Sequence, residues 1–141
     1  MRFPRFPFVL FALVAVAVAV ALPAGAARAP VQVRIQHELH GCHAWSVANG
    51  TFAAKQLLHA HPGTALTFTN NDVMPHTLVQ LAGPRIVLTH PRMGHMSATT
   101  ALTLRTPGTY RFTTKAGEDY PGIHVKTIGE DNVLRLTVVV S

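Results

Sequence analysis

From Val31 onward the chain is written in short runs that alternate apolar and polar residues, each closed by a glycine or proline. A period of two is the signature of a half-buried strand, and helices need a longer repeat. Val31-Gln-Val-Arg-Ile35 and Ala65-Leu-Thr-Phe-Thr69 alternate in this way, the second after a His61-Pro-Gly63 turn. His76-Thr-Leu-Val-Gln-Leu81 follows Pro75, and Arg85-Ile-Val-Leu88 follows Gly83-Pro84. Thr99 to Leu104 alternates up to the Pro107-Gly108 turn; Thr109-Tyr-Arg-Phe-Thr113 and Val133 to Val140 complete the series. Thr51 to Ala60 reads as a strand or a short helix, because Ala53 to Leu58 contains good helix formers. Short strands at regular spacing predict an all-β Greek-key sandwich of about seven to eight strands. The expected core comprises Phe68, Leu78, Leu81, Leu102, Tyr110, Phe112, Leu134 and Leu136.

The N-terminal segment has a different character. Arg2 and Arg5 precede an unbroken apolar run from Phe8 to Leu22, and Pro23 and Ala24-Gly25-Ala26-Ala27 follow. A basic start, an apolar centre and small residues at the end make a secretory signal peptide, with cleavage after Ala26 or Ala27. Residues 1–26 are therefore read as the signal and 27–141 as one domain in a secreted, periplasmic or other extracytoplasmic setting. The apolar run is short for a membrane span of about 20 residues, so a membrane association is expected only if the leader stays uncleaved.

Composition narrows function. The formal net charge is +6, but the mature Lys and Arg residues are scattered singly, without a basic stripe or aromatic platform, which argues against nucleic acid. No Ser-His-Asp order, paired acids or phosphate loop points to an enzyme. Glu118-Asp119 and Glu130-Asp131 read as solvated loop residues. Nine histidines and one cysteine stand out. A lone cysteine cannot close an internal disulfide, so Cys42 is expected to be buried, metal-bound or paired with another molecule.

The segment His61-Pro-Gly-Thr-Ala-Leu-Thr-Phe-Thr-Asn-Asn-Asp-Val-Met-Pro-His76, followed by Thr106-Pro-Gly-Thr-Tyr-Arg-Phe112, resembles the cupredoxins, the blue-copper sandwich family. The resemblance implies that His76, after Pro75, binds copper. It also implies a cysteine at the end of the strand after Pro-Gly-Thr-Tyr, with a further His and often a Met beyond. Here that place reads Thr113-Thr114-Lys115-Ala116-Gly117-Glu118-Asp119-Tyr120, and only His124 lies downstream. A standard ligand loop is missing.

The family topology places two other segments at the pole of His76. These are His37-Glu-Leu-His40-Gly-Cys42-His43-Ala-Trp45 and His90-Pro-Arg-Met93-Gly-His95-Met96. The expected ligands are Cys42, His43, His76, His95 and Met96. Thiolate, imidazole and thioether suit copper, with zinc as the competitor that thioethers disfavour. Taken singly, His37, His40 and His90 read as solvated, Met93 as packing and Trp45 as core. Asn70 and Asn71 are expected to brace the ligand loop through side-chain-to-backbone bonds. His59 and His61 fall at the opposite pole. The resulting expectation is an exported copper protein for electron transfer or copper handling, whose partners are a copper ion and a redox or copper-trafficking protein. The alternative is a metal-free interaction module of the cell envelope.

Overall fold

The computed structural model describes residues 28–38, 42–116 and 133–141, with Glu38 and Cys42 described by backbone alone. The expected signal segment, His40, His124 and the acidic pairs 118–119 and 130–131 lie outside these residues. No helix among the described residues is long and apolar enough to cross a membrane.

Nine strands are described: β1 (Val31–Glu38), β2 (Cys42–Val47), β3 (Lys55–Ala60), β4 (Thr64–Asn71), β5 (His76–Ala82), β6 (Arg92–Met93), β7 (Thr99–Leu104), β8 (Gly108–Ala116) and β9 (Arg135–Val140). They form an all-β sandwich. One sheet has the order β2-β1-β4-β7 and the other β3-β9-β8-β5-β6. The β1/β4 and β3/β9 pairs are parallel and the rest antiparallel. Because neighbours are mostly not consecutive, the chain repeatedly crosses from one sheet to the other, as at β4–β5.

The inward positions follow the pleat. Along β4, Leu66, Phe68 and Asn70 are buried, and along β9 Leu136, Val138 and Val140. These join Val33, Ile35, Trp45, Leu78, Leu102, Leu104, Tyr110, Phe112 and Leu134 in one core. Seven of the eight expected core residues are in it. Leu81 is not; it is 49% exposed. Leu78 points inward, and a residue three positions along a strand faces the other way. A bulge after Gln80 then lets the register slip before Ala82. Arg85–Leu88 is not a strand either. Gln80 ties this stretch down as a turn, its Oε1 accepting from Ile86 N at 3.0 Å and its Nε2 donating to Pro84 O at 2.7 Å. The 51–60 region resolves as β3, a strand lying parallel to β9.

Candidate metal centre

The sandwich has two poles, and β4 runs between them. Its start follows the His61-Pro-Gly63 turn, and its end opens into Asp72-Val-Met-Pro75, the crossing to β5. That short crossing is held by side chains. Asn70 Oδ1 accepts from Asp72 N at 2.9 Å, and Asp72 Oδ1 accepts from Met74 N at 3.2 Å. Each is a carboxyl or amide side chain bonded to the backbone two residues on, which fixes a tight bend. The Asn70 amide also donates to the carbonyls of Met74 at 2.8 Å and Met93 at 3.1 Å. Asn70 thus braces the loop as expected, and it ties the crossing to the end of β6 as well.

The braced loop aims Asp72 and Met74 into the pole, where β2 and β5 each bring a histidine. His43 lies on the inward face of β2, two residues before Trp45, and His76 opens β5. His43, Asp72 and His76 are buried, and their ligand atoms lie within 4.8 Å of one another. His76 Nε2 is 3.3 Å from Asp72 Oδ2, and His43 Nε2 is 3.4 Å from the same oxygen. His43 Nε2 also lies 3.1 Å from Met74 Sδ, itself buried. The two imidazoles meet edge to face, with centroids 4.9 Å apart and planes at 88°.

These separations have a chemical meaning. Nitrogen and oxygen ligands at about 2.0–2.2 Å from a tetrahedral ion stand roughly 3.3–3.6 Å from each other. The two Asp72 contacts have that spacing. The donor chemistry agrees. A carboxylate oxygen and a thioether sulfur are acceptors only, and each imidazole offers a lone pair on one nitrogen. Thr114 Oγ1 sits 3.1 Å from His76 Nδ1. With an ion bound, that contact lets Nδ1–H donate to the hydroxyl and frees the Nε2 lone pair for the metal; without one, the Thr114 hydroxyl donates to Nδ1 while Nε2–H donates to Asp72. Lone pairs converging in a buried space need a proton or a cation between them. The residues present fit a metal ion.

Electrostatics point the same way. Burial acts to raise the Asp72 pKa. The hydrogen bond from His76, the Met74 N–H and the charges of His43 and His76 more than offset it, and the carboxyl is held below its ordinary range. Asp72 is therefore a carboxylate at neutral pH, a buried negative charge facing two imidazoles.

Neither a protein-family model nor a curated protein matches the chain. Among solved structures it is similar to a purple cupredoxin from Nitrosopumilus maritimus, at 16% identity over 78% of this chain and 98% of that one, with a TM-score of 0.46. It is also similar to a mutant of amicyanin in a Cu(I) form, at 22% identity over 84% of this chain and 88% of that one, with a TM-score of 0.49. At these identities no residue role is carried from them to this chain.

The expected ligands are placed as follows. His43 and His76 are brought together. Cys42 heads β2, its backbone opposite Glu38 across the β1/β2 ladder, and its side chain lies outside the described residues. His95 and Met96 are exposed, and His95 Nδ1 donates to the Met96 carbonyl at 2.9 Å. His95 is not among the residues whose ligand atoms converge within 4.8 Å, and the Asn70 amide reaches its carbonyl at 3.4 Å. Met93 is in the core. Sequence reasoning did not single out Asp72 and Met74, which the structure places against His43 and His76. The signal was in view: both lie inside the segment that carries the resemblance, within four residues of His76.

Proposed function

We propose that this chain is an exported copper-binding protein that holds one copper ion at the pole formed by His43, Asp72, His76 and Met74. The observation that carries this reading is the convergence of two imidazoles, a carboxylate and a thioether, all buried, from three separate strands and loops. Copper supplies one-electron redox chemistry when bound. The chain's own residues determine how that ion is held. Asp72 provides the single negative charge, His43 and His76 provide nitrogen donors, and Met74 provides a soft sulfur. Imidazole and carboxylate suit Cu(II), and thioether suits Cu(I), so the set accommodates both states. Zinc accepts the same two histidines and the aspartate. Met74 is the donor that favours copper.

The proposed task is copper handling: holding the ion for protection or delivery to a copper-trafficking partner outside the cytosol. Electron transfer is the second reading, favoured by the Asn70 brace, since a rigid donor set changes little when the ion changes oxidation state. Cys42, one residue before His43 on β2, distinguishes them. A thiolate on Cu(II) in a constrained site gives an intense visible band. The test is metal analysis and absorption spectroscopy of the purified mature protein, which should begin near Ala27 or Arg28. One copper per chain, lost in His43→Ala and His76→Ala, is expected. A strong visible band abolished by Cys42→Ser would assign electron transfer. Copper binding without that band assigns copper handling. A protein that takes up no copper in either oxidation state would leave the metal-free interaction module.

A further inference from the structure

The donors of this site are shut away from solvent: His43 is 2% exposed, Met74 6%, and Asp72 and His76 0%. An aqueous metal ion carries a shell of waters and cannot reach such donors in a single step. It must first exchange some of that shell for a group that is both in solvent and within reach of the buried set. His37 has both properties. Near the end of β1, its side chain is 51% exposed, and its Nδ1 lies 3.8 Å from Asp72 Oδ1.

Three details give this position its significance. The first is which oxygen it faces. Oδ2 is where the two buried imidazoles converge, whereas His37 approaches Oδ1 on the other side of the carboxylate. The second is distance. At 3.8 Å, His37 and Asp72 are too far apart for a hydrogen bond, so His37 is not committed to holding the carboxylate. Two metal–ligand bonds of about 2.0–2.2 Å nevertheless span that gap, at an angle of roughly 120–145° that is wider than tetrahedral and suits a transient bridge rather than a settled ligand pair. The third is register. His37 pairs with His43 across the β1/β2 ladder. Opposite residues in an antiparallel pair share one face, so the backbone holds His37 on the rim above a buried ligand.

Resting on the copper reading above, we infer that His37 is the port of the site: it takes the ion from solvent against Asp72 Oδ1 and passes it to the buried donors. His37 is not one of the donors that hold the ion once it is seated. By microscopic reversibility the same residue serves exit. A port lowers the barrier in both directions and leaves the equilibrium constant unchanged, which separates it from an ordinary ligand.

The experiment compares the full mature protein with His37→Ala and His37→Gln, using His59→Ala at the far pole as control. Loading with Cu(II) ions and removal by EDTA are followed by stopped flow through the emission of Trp45, the single tryptophan. Affinity and the electron paramagnetic resonance spectrum are measured at equilibrium. Both rates should fall together by about tenfold or more, the factor that a barrier rise of roughly 1.4 kcal/mol carries. Affinity should stay within about twofold, well inside the span of one tenfold step, and the spectrum should not change. Unchanged rates in both variants overturn the port. So does weakened affinity with an altered spectrum, which would make His37 an ordinary ligand. If the wild-type protein fails to load one copper, or loads it undiminished in His76→Ala, the copper reading itself fails. That failure shows before any His37 variant is compared.

Discussion

Asp72 carries the only negative charge among the four proposed donors, so on that reading it governs what the pole can bind. Asp72→Asn keeps the shape of the side chain and the acceptor for Met74 N but removes the charge. Copper affinity should fall by at least about a hundredfold, the upper end for a disturbed metal shell, with Cu(II) losing more than Cu(I); titration against a competing chelator would measure both. The metal-free protein should also respond to acid. The folded-state pKa of Asp72 is lowered, so its contribution is fully present above the unfolded value, near 3.9, and is lost as pH falls through the folded value. The stability gap between wild type and Asp72→Asn should therefore be constant at neutral pH and close below about pH 4. Denaturant melts at a series of pH values test this, and a gap that widens toward acid would contradict it. Met74 should separate metals: Met74→Leu is expected to weaken Cu(I) by about tenfold and leave Zn(II) nearly unchanged, because only copper benefits from the thioether. At this scale the histidines were legible, His76 from its place after Pro75. Asp72 and Met74 were not, because the resemblance directs attention to a sulfur on β8 and the scarce acids read as solvated. His37 read as a solvated histidine, and its half-exposure fits that; only its distance to Asp72 reveals more.

A metal site depends on the elements that aim it, and here the crossing from β4 to β5 does most of the aiming. Asn70 makes most of its brace, with Asp72 adding the bond to Met74 N. Asn70→Ala removes the donors to Met74 O and Met93 O and the acceptor for Asp72 N at once. Leaving buried backbone groups unpaired costs about 1–3 kcal/mol each. The variant should melt earlier and bind copper about 10–100-fold more weakly, as calorimetry and chelator competition would report. Gly83 offers a contrast in an element remote from this chemistry. Its φ is +102°, and a Cβ there would lie 2.6 Å from the Thr109 carbonyl oxygen and 2.8 Å from Tyr110 Cα. Neither neighbour is a flexible side-chain tip, so β8 itself must shift. Gly83→Ala should cost about 1–3 kcal/mol or more, with little effect on copper affinity in whatever fraction remains folded. Strands with clean alternation were legible as elements: β1, β4, β7, β8 and β9. β3 was not, because Ala53 to Leu58 has helix formers at local scale, and its pairing with β9 is a contact across most of the sequence. Leu81 was misplaced because a run that includes both Leu78 and Leu81 satisfies hydrophobicity without satisfying the pleat.

At the scale of the whole molecule the donors do something no single strand can. His43 belongs to the sheet that contains β2, and His76 to the sheet that contains β5; Asp72 and Met74 ride on the chain that crosses between them. An ion held by all four joins the two sheets at one end. The fold does not depend on it, because a contiguous core runs the length of the sandwich from Ile35 and Trp45 to Val138 and Val140. Metal removal should therefore leave a cooperative, folded protein with a lower melting temperature. At free copper one hundred times Kd, binding to the folded state alone adds about 2.7 kcal/mol. Where that stabilisation appears is set by the geometry. β4 spans eight residues from Thr64 to Asn71, roughly 23 Å at the rise of a strand. His61 sits at its far end, where its Nδ1 donates to the Ser141 carbonyl at 3.1 Å. A charge pair at that distance is beyond the Debye length in physiological salt, about 8 Å. Replacing both His59 and His61 by Ala should thus leave copper stoichiometry and affinity unchanged. Hydrogen exchange followed by mass spectrometry, with and without copper, gives the complementary reading. Amides of β2, the 72–75 crossing and the start of β5 should gain protection, and the amides around His61 and Gly63 should gain no more than the global stabilisation confers. Equal additional protection at both ends, or loss of copper affinity in the His59/His61 double variant, would mean that the ion does not sit where the two sheets are joined by His43 and His76.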